Sequence, residues 1–117
     1  MTRIRLIALS AAGALALVLA GPATAATRLV ATVGPGFTIT VKKAGVKVRT
    51  LRPGTYTITV QDRSRDHNFR LRGPGFNRAT GIARVGTFTW TVRLRAGTYR
   101  YVCDPHADSM RGSFTVR

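Results

Sequence analysis

Threonine alternates with large apolar residues along much of this chain. Tyr56, Ile58 and Val60 are interleaved with Thr55, Thr57 and Thr59. Phe88, Trp90, Val92 and Leu94 alternate in the same way with Thr87, Thr89, Thr91 and Arg93. Side chains on a strand point to opposite faces with a period of two, so each run carries one apolar and one polar face. Beyond residue 25 no stretch repeats apolar residues at helical spacing. Further inner faces are Phe37, Ile39 and Val41; Val46 and Val48; His67, Phe69 and Leu71; Tyr99, Tyr101 and Cys103; and Phe114 and Val116. Asn68, Arg70 and Arg72 fall on the outward side of theirs.

Turn signals separate these runs at near-regular spacing. Gly34-Pro35-Gly36, Ala44-Gly45, Pro53-Gly54 and Ala96-Gly97 supply the backbone angles and the missing donors that end a ladder. Gln61 to Asp66 reads as a polar loop, and the glycine-rich Gly73 to Gly86 as an irregular connection or a bent edge segment. The expectation is an all-β chain, a Greek-key β-sandwich or barrel of roughly seven to eight strands.

Residues 1–25 stand apart. Arg3 and Arg5 precede an apolar run from Leu6 to Ala20, followed by the small residues Ala23-Thr24-Ala25. That order is expected of a secretory signal peptide cleaved after Ala25, which leaves residues 26–117 as one domain. The apolar run is short against the roughly 20 residues that span a bilayer. Contact with a membrane is expected only where the segment is retained as an anchor. An exported protein, periplasmic, wall-bound or extracellular, follows from this reading.

Charge is strongly one-sided. Nineteen lysines and arginines face four acids, for a formal net charge of +15. Two readings stay open: solubility with a composition bias, or attraction to something acidic such as a partner protein. Specific nucleic-acid binding is not expected. Outward arginines such as Arg70, Arg72, Arg93, Arg95 and Arg100 make a basic face, but the aromatics fall on inner faces, where no base can stack on them.

The chain has one cysteine, two histidines and two methionines. A lone cysteine forms no internal disulfide, and in an exported protein a metal bond would protect it. Cys103, His106 and Met110 crowd one short segment, Cys-Asp-Pro-His-Ala-Asp-Ser-Met. Thiolate, imidazole and thioether together suit copper best among common metals. If Phe69 and Leu71 face the core, His67 does too, and Tyr99 and Tyr101 carry Cys103 inward likewise. His67 opens its strand and Cys103 closes its own, so they meet only where those strands run antiparallel. Each residue alone fits a packed histidine or an inert thiol; the four together fit one coordination set.

The segment from Cys103 to Met110 resembles the carboxy-terminal ligand loop of the cupredoxins, most closely the plastocyanin and azurin type of blue copper protein. His67-Asn68 resembles their first histidine, often followed by asparagine. Gly97-Thr98-Tyr99-Arg100-Tyr101 resembles the strand that delivers the cysteine. The resemblance implies one type 1 copper ion, cycling between Cu(I) and Cu(II), held by His67, Cys103, His106 and, as the weak axial ligand, Met110. A backbone carbonyl in place of Met110, or no axial donor, is the alternative. It further implies that Asn68 ties the two ligand segments together and that Pro105 fixes the backbone between Cys103 and His106. His106 becomes the electron exit through an apolar rim, for which Phe76, Ala107 and Pro74 are the candidates. The function implied is one-electron transfer to redox partner proteins by a monomer; the alternative is a copper carrier or storage protein. No acid–base pair or nucleophile set points to an enzyme.

Overall fold

The computed structural model describes residues 10–17 and 25–117. Most of the expected signal segment lies outside them; Ser10 to Leu17 carry no regular secondary structure. Among the described residues no helix is long and apolar enough to cross a membrane.

Among the described residues ten strands form two five-stranded sheets. They are β1 (Thr27–Val33), β2 (Ile39–Lys43), β3 (Val46–Lys47), β4 (Thr50–Leu51), β5 (Gly54–Asp62), β6 (Arg70–Gly73), β7 (Phe76–Ala79), β8 (Gly86–Leu94), β9 (Gly97–Val102) and β10 (Arg111–Val116). One sheet runs in the order β3-β2-β1-β5-β8, the other β4-β10-β9-β6-β7. The sheets stay open and face each other, so the molecule is a β-sandwich rather than a closed barrel. The chain crosses between them from β3 to β4, β4 to β5, β5 to β6, β7 to β8 and β8 to β9.

The core lies where the apolar faces meet. Leu29, Ala31 and Val33 of β1, Ile58 and Val60 of β5, and Trp90, Val92 and Leu94 of β8 face Phe69, Leu71, Tyr99, Tyr101, Phe114 and Val116 from the second sheet. Aromatic rings fill much of the gap: Tyr99 and Phe114 stack with centroids 5.4 Å apart, and Phe69 lies 6.0 Å from Tyr101. Stacked rings of this kind contribute beyond their buried area. Gly112 is held to glycine by packing, because the Tyr101 ring occupies the place a Cβ would take.

Of the two readings of Gly73 to Gly86, the edge segment holds in part: Phe76–Ala79 pairs antiparallel with β6 at the sheet edge. Four expectations need correction. Among the described residues the strand count is ten, because β4 and β7 add to the runs read from alternation. Val46, expected inside with Val48, is 70% exposed, because β3 is a two-residue pairing at the edge of its sheet. Phe37 is 65% exposed: it precedes β2, and the Gly34–Gly36 turn carries it off the inner face. Asn68, placed outward by alternation, is buried, because the chain before Arg70 is not yet in strand geometry.

Candidate metal centre

β6 and β9 run antiparallel, with Arg70 opposite Val102. His67 lies three residues before β6 and Cys103 directly follows β9, so both arrive at the same end of the sandwich. A single 3₁₀ turn, Asp104–His106, then returns the chain. Pro105 sits in its first positions, where no backbone donor is needed and φ is already set. The His106 N–H donates to the Cys103 carbonyl at 3.0 Å, and the Met110 N–H to the His106 carbonyl at 2.8 Å. The Cys103 N–H donates to the Met110 carbonyl at 3.0 Å, closing the loop at its base.

Three donor atoms converge. His67 Nδ1 and His106 Nδ1 are 3.0 Å apart, and Cys103 Sγ lies 3.7 and 3.6 Å from them. Cys103 and His67 are buried, and His106 is half-buried. A point equidistant from the three atoms lies about 2.0 Å from each, close to metal–imidazole and metal–thiolate bonds of roughly 2.0–2.3 Å. The tautomer of His67 supports the same conclusion. Its Nε2 is 2.8 Å from the Gly36 carbonyl, which can only accept, so Nε2 carries the proton and Nδ1 turns its lone pair inward. Gly36 has φ +63, a backbone state that costs glycine little. Lone pairs at this spacing repel unless a proton or a cation lies between them. The site therefore fits a metal ion.

Met110 is fully buried beneath the loop. Its N–H donates to the His106 carbonyl and its carbonyl accepts from the Cys103 N–H, so its backbone adjoins both residues.

The segments carrying His67 and Cys103 are tied together. Asn68 Oδ1 accepts the Asp104 N–H at 2.7 Å, and Asn68 Nδ2 donates to Asp104 Oδ2 at 2.8 Å and to the Thr80 carbonyl at 3.2 Å. The Arg70 Nε donates to both Asp104 oxygens at 2.8 and 3.0 Å. Hydrogen bonding from Arg70 holds the Asp104 carboxyl below the usual carboxylate range, with Asn68 adding to it and burial opposing it. Asp104 was not singled out from sequence; its place between Cys103 and Pro105 in a candidate ligand loop was the available signal.

The rim differs from the expected one. Phe37 meets the His106 ring edge-on at 4.9 Å and the His67 ring at 5.5 Å. With Ile82, Pro105 and His106 it lines a cleft over the donors. Pro74 lies instead against Gly97 at the other end of the sandwich. Phe76 packs on the core from β7, and Ala107 lines a different cleft beside Arg72 and Arg100. Phe37 was detectable as an aromatic placed directly after a Gly-Pro-Gly turn.

No protein-family model matches the sequence, and no curated protein does. Solved structures match over most of the chain. Rusticyanin from Thiobacillus ferrooxidans is 27% identical, with a TM-score of 0.54 over 77% of this chain and 76% of that one. Another structure, described as the copper protein rusticyanin, is 25% identical with a TM-score of 0.56 over the same shares. A methionine-to-glutamine variant of rusticyanin is 24% identical and superposes with a TM-score of 0.58, again over 77% and 76%. The two-sheet architecture and these neighbours show that the chain has the fold of rusticyanin, a cupredoxin, consistent with the family its loop motif resembles.

Proposed function

We propose that this protein binds one copper ion through His67 Nδ1, His106 Nδ1 and Cys103 Sγ, with the Met110 thioether as axial donor, and carries single electrons. The observation that carries this reading is the triangle of two imidazole nitrogens and one thiol sulfur. Copper so held supplies a one-electron couple between Cu(I) and Cu(II).

The remaining work falls to the chain. The Gly36 carbonyl fixes the ring of His67, and the Asn68–Asp104 contacts fix the loop bearing Cys103 and His106. Donors held this rigidly change little between two charge states. Burial of Cys103 and His67 keeps water from the sulfur and leaves no evident open position for a substrate, which favours a carrier over an enzyme. His106 alone of the three reaches the surface, beside Phe37, and is the edge through which a redox partner protein exchanges electrons. Residues 1–25 read as an export signal, placing this carrier outside the cytoplasm.

The test is copper stoichiometry followed by voltammetry. The reading predicts one copper per chain and a reversible one-electron wave. Copper retained without a reversible wave favours a carrier or storage protein, and absence of retained copper removes both readings.

A further inference from the structure

The acids are segregated to one end of the sandwich, where arginines such as Arg65, Arg70 and Arg111 also occur. All four acids lie at the metal end. Asp62 closes β5 opposite Val33, Asp66 lines the cleft with His67 and His106, and Asp104 and Asp108 belong to the loop after β9. The other end has none. There Lys43, Arg52 and Arg117 line one cleft together with Thr27, the first residue of β1. β1 runs from this end to the metal end, a rise of about 20 Å for its length.

The chain's three lysines fall in the hairpin that borders this cleft. Lys42 stands directly opposite Lys47, and Lys43 opposite Val46. Like charges facing each other across a ladder destabilise it unless an anion relieves them. Val46, between the lysines, is 70% exposed. The other exposed large apolar residues of the domain, Phe37, Ile82 and Val85, belong to the metal end.

We propose that this basic end seats on an anionic lipid bilayer, with the lysine hairpin among the headgroups and Val46 reaching the acyl boundary. Charge complementarity calls for an anionic occupant. The make-up of the patch favours lipid over an acidic protein. An isolated valine ringed by lysines suits a headgroup layer, where lysine stems lie along apolar surface and their ammonium groups stay hydrated. It lacks the aromatic anchors of a protein hot spot. Seated this way, the metal centre and the Phe37–His106 edge face away from the bilayer, open to a soluble partner.

The test uses residues 26–117, because every buried core side chain lies between Leu29 and Val116 and the apolar leader must not contribute. Co-sedimentation compares vesicles with about 30% phosphatidylglycerol in phosphatidylcholine against pure phosphatidylcholine, at roughly 0.05 M salt. Binding is expected to the anionic vesicles only, and to be lost at about 0.5 M salt. Combined Lys42→Glu, Lys43→Glu and Lys47→Glu is expected to weaken it about tenfold or more. Combined Arg72→Glu, Arg100→Glu and Arg111→Glu, an equal charge change elsewhere, is expected to weaken it about twofold at most, the screened remainder of a distant charge. If the lysine-to-glutamate protein does not fold, Lys42→Gln, Lys43→Gln and Lys47→Gln replaces it, with a severalfold loss expected. Equal losses in the lysine and arginine variants overturn the proposal. So does failure to bind anionic vesicles, including the case where polyglutamate is bound instead.

Discussion

Asn68 and Asp104, 36 positions apart, exchange two hydrogen bonds, one to the Asp104 backbone N–H and one to its carboxylate. Through this contact the segment carrying His67 is registered against the loop carrying Cys103 and His106. Replacing Asn68 by alanine leaves a largely buried N–H and the Thr80 carbonyl short of partners. Asn68→Ala should cost about 2–3 kcal/mol. In urea unfolding the midpoint should fall with the slope unchanged, and bound copper should exchange faster.

Asp62 is buried, with Oδ1 accepting the Ser64 N–H at 3.1 Å and Oδ2 without a protein partner. Burial pushes its carboxyl up from the usual range, opposed by the Ser64 N–H. A raised carboxyl stabilises the fold while it is protonated, below the unfolded value. That contribution is lost as pH rises through the folded value. Asp62→Asn should therefore be more stable than wild type at neutral pH, and the gap should close at about pH 3. Thermal melts of both proteins across that window measure it; a gap independent of pH contradicts the account.

Phe37 covers two imidazoles while remaining mostly exposed itself. Phe37→Ala should leave stability within about 0.5 kcal/mol, as for other surface changes. Water reaching the His106 edge favours the more highly charged copper state, so the reduction potential of the copper-loaded protein should fall. Voltammetry beside a denaturation curve separates the two effects.

Gly112 lies beneath the Tyr101 ring, which is fully buried in the second sheet. Gly112→Ala forces that ring to move and should destabilise by about 1–3 kcal/mol. The loss should appear in denaturant unfolding even without copper.

Much of this architecture was legible because the strongest strands keep strict alternation. β5 and β8 interleave threonine with core residues, and both sit where the alternation puts them. The meeting of His67 and Cys103 followed from parity plus one antiparallel pairing, and β6 with β9 supplies that pairing. Phe37 was misplaced because period two was continued back through a Gly-Pro-Gly turn, where it no longer holds. Asn68 was misplaced because its burial depends on Asp104, a partner distant in sequence. β7 was legible only as an edge segment within Gly73 to Gly86, without bounds, because Asn77 and Arg78 bury no apolar face. The buried Asp62 was hidden in a polar run that extends the end of β5.

The most direct test of the copper reading is a visible absorption spectrum of residues 26–117 after adding Cu(II), beside a Cys103→Ser control. The account predicts an intense blue or green thiolate-to-copper band that disappears in the control. A folded protein that stays colourless and retains no copper after desalting would contradict it, leaving His67, Cys103 and His106 as residues of the core and its edge.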